Sequence, residues 1–167
     1  IHDAKEESVN TILEMAEYKK TGTCKILIVT GCMAQRYKEE ITEEIPEVDA
    51  VLGTTSYGDI VKALNEAEAG HVFQEFKDIN ALPEDSGRRV ITTGGHFGYL
   101  KIAEGCDKHC TYCIIPSLRG KFRSVPEERL LKQAEYMASQ GVRELILVAQ
   151  ETTVYGTDLY GKKTLHI

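Results

Sequence analysis

The sequence predicts an α/β protein organised around parallel sheet, and three observations carry that expectation. Short unbroken apolar runs, Lys25-Ile-Leu-Ile-Val-Thr30 and Glu144-Leu-Ile-Leu-Val-Ala149, read as strands covered on both faces. Amphipathic helical stretches alternate with them, and in the first half the order helix, strand, helix, strand, helix is the grammar of an open α/β sheet. Between residues 77 and 95 periodicity is lost, and Pro83, Gly87, Gly94 and Gly95 accumulate. That stretch reads as a linker between a first part, 1–76, and a second, 96–167.

Each element has its own justification. From Ala4 to Lys20, Val9, Ile12, Leu13 and Ala16 recur at helical spacing opposite Lys5, Glu6, Glu14 and Lys19, and Thr21-Gly22 ends the run. After the first strand, which runs into Gly31-Cys32, a helix is expected from about Gln35 to Glu44, stopped near Pro46. Asp49 to Leu52 reads as a short strand, and Tyr57 to Ala69 as a helix closed by Gly70. Arg89 to Thr92 suggests a short extended piece within the linker, and Tyr99 to Ala103 alternates like a strand. Ser124-Val-Pro-Glu127 has the form of a helix start with a serine cap, and Leu130, Leu131, Ala134, Met137 and Ala138 form the apolar stripe that follows, ended by Gly141.

Composition narrows the function. Twenty basic and twenty-six acidic residues leave a net charge of −6 over 167 residues, of which 42% are apolar and 28% charged. Such a chain is too apolar to be disordered. Its acidity counts weakly against a partner bound mainly through phosphates. No apolar run is long enough to cross a membrane, and Ile1-His-Asp-Ala-Lys-Glu-Glu is no signal peptide, so a cytoplasmic protein is expected. A chain that opens inside a helix-like run also reads as a piece of something longer.

The five cysteines, Cys24, Cys32, Cys106, Cys110 and Cys113, are odd in number and unevenly placed. A secreted disulfide framework spreads an even number along the chain, so no disulfides are expected and the compartment reads as reducing. Three of them form Cys106-Asp-Lys-His-Cys110-Thr-Tyr-Cys113 directly after a predicted strand. Tetrahedral zinc usually takes four ligands in paired C-x2-C knuckles, and no second knuckle exists, although His109 or His96 offers a fourth donor. Three thiolates in one loop also suit a cubane iron–sulfur cluster with one iron left open to a chelating small molecule. Both readings stand on the residues alone.

The strand followed by C-x3-C-x2-C, with aromatic Tyr112 before the last cysteine, resembles the signature of the radical S-adenosylmethionine (SAM) superfamily. The longer string Gly105-Cys-Asp-Lys-His-Cys-Thr-Tyr-Cys-Ile-Ile-Pro-Ser-Leu-Arg-Gly120 is similar to the methylthiotransferase family within it, and Gly31-Cys-Met-Ala-Gln-Arg-Tyr37 to the last cysteine motif of that family's N-terminal domain. One subgroup of that family modifies a tRNA adenosine; the other adds a methylthio group to the β-carbon of an aspartate in a small-subunit ribosomal protein. Ile115 to Gly120 and Val148-Ala-Gln-Glu-Thr-Thr-Val-Tyr-Gly-Thr-Asp-Leu-Tyr-Gly161 look like the ribosomal-protein subgroup. The tRNA subgroup tends to carry Pro-Tyr after the cysteines and Gly-Gln-Asn after the second strand.

The resemblance implies that 1–76 is the C-terminal part of a Rossmann-like N-terminal domain, and 96–167 the first βα units of a TIM-type radical SAM barrel. It implies that Cys106, Cys110 and Cys113 hold a [4Fe–4S] cluster whose open iron binds SAM, with one electron releasing a 5′-deoxyadenosyl radical. Tyr112 is then expected beside the adenine, and Gln150 and Glu151 near the SAM amino group. Cys32 becomes one of three ligands of an auxiliary [4Fe–4S] cluster, the other two lying before Ile1. Two SAM molecules per turnover and a flavodoxin- or ferredoxin-type electron donor are further implications. A full barrel takes roughly 250 residues, so the chain alone is expected to be inactive. Two alternatives to this reading are the tRNA enzyme and a zinc-binding interaction module without catalysis.

The remaining residues of note read more plainly. Lys101, Lys108, Arg119, Lys121 and Arg123 outnumber Glu104 and Asp107 between Tyr99 and Arg123. They suggest either an electropositive rim, with Arg119 its best candidate to meet SAM, or a solvated loop. His109 reads as an exposed loop residue, Cys24 as a structural thiol, and Tyr37 and Tyr57 as packing residues. No side chain is assigned as an acid or base catalyst.

Overall fold

A computed structural model describes residues 2–82 and 89–166. The chain divides into two compact units, Ile1–Pro83 and Glu84–Ile167. Within the expected linker, residues 83–88, Pro83 and Gly87 among them, lie outside the described residues.

The first unit runs α1 (His2–Thr21), β1 (Ile28–Thr30), α2 (Cys32–Glu44), β2 (Ala50–Leu52), a 3-10 turn (Tyr57–Asp59), α3 (Ile60–Glu68) and β3 (Phe73–Glu75). Its strands form one parallel sheet in the order β1-β2-β3, with Val51 opposite both Val29 and Gln74. Because β2 is central, both its faces are buried. Val51 joins Ile12, Val29, Ala34, Ile41, Ile45 and Val48 in one cluster, while Ala50 and Leu52 pack with Ala63 in another. That two-sided burial is why the strand is uniformly apolar instead of alternating.

One polar contact fixes α1 to the sheet. Asp49 Oδ2 accepts the Lys19 ammonium at 2.6 Å and the Leu27 N–H at 2.7 Å, and Lys19 also donates to the Glu47 carbonyl. β3 has no sequence signature of its own, since Phe73-Gln-Glu75 is two-thirds polar; pairing with β2 makes it a strand. Tyr57 is 43% exposed and so is not the packing residue expected, whereas Tyr37 does pack against the first cluster.

The second unit runs β4 (Phe97–Lys101), β5 (Ala103–Glu104), α4 (Ile115–Arg119), β6 (Arg123–Ser124), α5 (Glu127–Ser139), β7 (Glu144–Val148) and α6 (Thr157–Tyr160). β4 and β7 pair in parallel, Tyr99 opposite Ile146, and β5 and β6 pair antiparallel. The parallel pair joined through α5 is the βα arrangement expected of 96–167. Leu100, Ile102, Leu130, Met137, Val142 and Tyr155 form its core. Gly98 lets α5 approach β4, because a Cβ there would overlap the Met137 methyl.

Several expectations are corrected here. β7 is not covered on both faces: it pairs with β4 in a two-stranded sheet, and Leu145 and Leu147 are exposed. In α1 only Ile12 and Ala16 of the expected stripe are buried, and Leu13 is exposed. Arg89 to Thr92 is irregular. Leu131 and Ala138 are exposed, because the face turned to the strands follows Leu130, Ala134 and Met137, one position round the helix. Ser124 does not cap α5: Pro126 holds the cap position without a side-chain bond, and the Ser124 hydroxyl is committed elsewhere.

Candidate functional site

The cysteine loop is an excursion between β5 and β6, whose two residue pairs, Ala103 with Ser124 and Glu104 with Arg123, form its neck. Just beyond the neck the chain is pinned again. Gly105 lies at φ +75, and a Cβ there would come within 2.6 Å of the Gly120 carbonyl oxygen and closer still to that of Lys121. Only glycine allows two backbones to approach so closely in this conformation. The Cys106 N–H donates to Gly120 O at 3.1 Å, and the Phe122 N–H donates to Asp107 Oδ1 at 3.0 Å. Past Cys106 the loop turns, with the Cys113 N–H donating to Cys110 O at 3.0 Å, and enters α4, which Gly120 closes through Pro116 O.

The end of β7 meets this loop. Gln150 Oε1 accepts the Gly105 N–H at 3.0 Å. Glu151 pairs with Lys108, between the first two cysteines, and also accepts the N–H and hydroxyl of Thr153. The Lys108 ammonium, and after it the Thr153 donors, hold the Glu151 carboxyl down to about 2. Lys108 is raised in turn, chiefly by Glu151, with smaller contributions from Cys106 and Cys110. The loop and the two residues after β7 therefore share one locality at the C-terminal ends of β4 and β7, where parallel α/β folds place their chemistry.

The basic residues are largely committed. Glu104, whose side chain is 3% exposed, takes both Lys101 and Arg119, the latter at 3.3 Å. Arg123 donates to the backbone oxygens of Arg119 and Lys121. A buried carboxylate needs such pairing, so Arg119 meets Glu104 before any ligand.

None of the five cysteines forms a disulfide; Cys106 and Cys113 are half-buried and Cys110 is exposed. Tyr112 is 83% exposed, and His109 is also exposed. Among the described residues no three His, Cys, Asp or Glu side chains converge as they would around a single metal ion. A cluster that spreads its ligands over several irons does not need that convergence, and three uncrosslinked soft thiols in one anchored loop are the donor set it takes.

Cys32 opens α2, following Gly31 at φ +102 at the C-terminal end of β1. Its neighbourhood holds a buried polar group that sequence reasoning missed. Gln35 accepts the Thr54 N–H at 3.1 Å, Thr55 donates to Lys77 O, and the fully buried Ser56 hydroxyl accepts the Lys77 N–H. Gly53 leaves the space that Gln35 Oε1 fills. The available signal was a second apolar run ending in glycine, Val51-Leu-Gly53, repeating the Val29-Thr-Gly31 step. Cys24, outside this group, donates weakly to Ile26 O.

Comparison with known proteins agrees with this geometry. Residues 1–53 match a family described as uncharacterized protein family UPF0004, and residues 100–166 match the radical SAM superfamily. A protein of Lachnoclostridium phytofermentans named ribosomal protein uS12 methylthiotransferase RimO is 66% identical over 99% of this chain and 38% of its own length. Proteins of the same name from Clostridioides difficile and Clostridium botulinum are 52% and 48% identical, again over 99% of this chain and 37% of theirs. The chain spans little more than a third of the length of these curated relatives. Both segments are present in that order, and the similarity to these relatives runs through both units.

Proposed function

We propose that the complete protein is a radical SAM methylthiotransferase that adds a methylthio group to the β-carbon of an aspartate in the small-subunit ribosomal protein uS12. The observation that carries this reading is the loop of three free thiols pinned at its neck and met by Gln150 and Glu151. The similarity to relatives bearing that substrate in their name supports it.

In this reading Cys106, Cys110 and Cys113 hold a [4Fe–4S] cluster and bind SAM through it. The bound cluster supplies the electron that breaks a carbon–sulfur bond of the sulfonium. The chain's own residues position and shield. Gln150 fixes the start of the loop through the Gly105 N–H, and Glu151, kept ionised by Lys108, presents negative charge to the SAM amino group. Tyr112, open to solvent, offers an apolar face for the adenine. Arg119, held beside Glu104, supplies positive charge for the SAM carboxylate. Cys32, at the start of α2, is one ligand of an auxiliary [4Fe–4S] cluster used in sulfur insertion. A flavodoxin- or ferredoxin-type protein delivers the electron, and the reducing chemistry places the enzyme in the cytoplasm.

The complete gene product, expressed and reconstituted without air, tests this. A broad absorbance near ~400 nm that is lost on Cys110→Ala, together with a mass gain on uS12, is the expected result. Stoichiometric zinc with no iron uptake, or a mass gain confined to tRNA, overturns it.

A further inference from the structure

We propose that Asp158 is a positioning residue for the cysteine loop, acting through Ser124 at the loop's neck. This rests on the reading of Cys106, Cys110 and Cys113 as cluster ligands. Ser124 is fully buried, and 34 residues of chain separate it from Asp158. Both carboxylate oxygens are used: Oδ1 accepts the Ser124 hydroxyl at 2.6 Å, and Oδ2 accepts the Ser124 N–H at 2.8 Å. The same hydroxyl accepts the Gly156 N–H at 2.9 Å.

The rest of the string around Asp158 docks on the same short stretch. Tyr155 Oη donates to Val125 O at 2.9 Å, and Tyr160 Oη accepts the Glu127 N–H at 3.2 Å. Burial pushes the Tyr155 phenol up to about 12, so it remains a donor. Tyr155, Gly156, Asp158 and Tyr160 thus all bond to residues 124–127. Such agreement gives the Tyr-Gly-Thr-Asp-Leu-Tyr string, otherwise without a role, a single physical purpose.

That purpose is geometric. The neck consists of two residue pairs, and one of its four residues is Ser124. The clamp grips that residue by backbone and side chain together. It also lies shortly after Gln150 and Glu151, so one contact fixes the loop and the two residues that meet it against each other. Asparagine at 158 keeps the shape but replaces one acceptor with a donor. Turned one way, the amide NH2 faces the Ser124 N–H, donor against donor; turned the other way, it meets the Ser124 hydroxyl, whose own proton then loses its acceptor. Misplacement by a fraction of an ångström at a site that must hold a ligand against a reacting centre is costly.

The test uses the complete protein, reconstituted without air, as wild type, Asp158→Asn, Ser124→Ala and the double variant. Iron and sulfide content, the electron paramagnetic resonance spectrum of the reduced cluster with and without SAM, and SAM affinity are measured. Asp158→Asn is expected to keep its iron while weakening SAM binding about tenfold and changing the SAM-dependent spectrum. The double variant is expected to be no worse than the more affected single one, because both substitutions break the same contact. SAM affinity within twofold of wild type, or effects that multiply independently, overturns the proposal. Should Asp158→Asn not fold, Ser124→Ala carries the same two readouts. A wild type that takes up no cluster defeats the functional reading itself, which is a separate outcome.

Discussion

Gly105→Ala is the substitution whose cost can be worked most directly from the geometry. Holding alanine at φ +75 costs about 1–2 kcal/mol of backbone strain. The added methyl meets the carbonyl oxygens of Gly120 and Lys121, which are backbone and cannot swing aside. Relief requires the two sides of the neck to part. That breaks the Cys106 N–H to Gly120 O bond and the Gly105 N–H to Gln150 bond, each contributing about 1 kcal/mol. The expected loss is therefore roughly 3–4 kcal/mol, large against a domain stability of roughly 5–15 kcal/mol. Urea unfolding gives the global figure, and hydrogen exchange at the Cys106, Phe122 and Ser124 amides shows whether the neck opens locally first. Gly98→Ala is the control. Its obstacle is the flexible end of Met137, so it costs about 1–3 kcal/mol, and Met137→Leu is expected to recover much of that. No side-chain change rescues Gly105→Ala. A loss below about 1 kcal/mol, with exchange at the neck unchanged, refutes the reasoning.

Two further outcomes are expected. Asp49→Ala leaves the Leu27 N–H and the Lys19 ammonium without their shared acceptor and destabilises the first unit by about 2–3 kcal/mol, while Asp49→Asn, which can still accept from Leu27, costs less; denaturant titration separates them. Because the Glu151 carboxyl is depressed to about 2, the stability it contributes is complete above its unfolded value near ~4.3 and is lost as pH falls through about 2. A carboxyl-carbon titration by NMR follows this directly, and Lys108→Ala is expected to move the midpoint back up.

Local sequence determined the elements that carry their own pattern. Residues 26–29 are a continuous apolar run because Val29 packs into one cluster and Ile28 against another, and the buried stripe of α1 is carried by Ile12 and Ala16. Residues 145–148 carry the same kind of run, but Leu145 and Leu147 of β7 are exposed. The C-x3-C-x2-C spacing is likewise a property of one short segment, legible without a fold. Only the tertiary structure decided what depends on partners distant along the chain. β3 is a strand because β2 lies beside it, and Leu131 is exposed because the strands face Leu130 and Met137. Ser124 looked like a helix cap because its local context is one; Asp158, far along the chain, offered two acceptors and outbid the orphan N–H groups of α5. The excess of positive charge between Tyr99 and Arg123 was countable in advance, but its pairing with buried Glu104 and with Glu151 was not. A hydrogen bond or ion pair is fixed by where two groups meet in space, and a linear pattern records only one of them at a time.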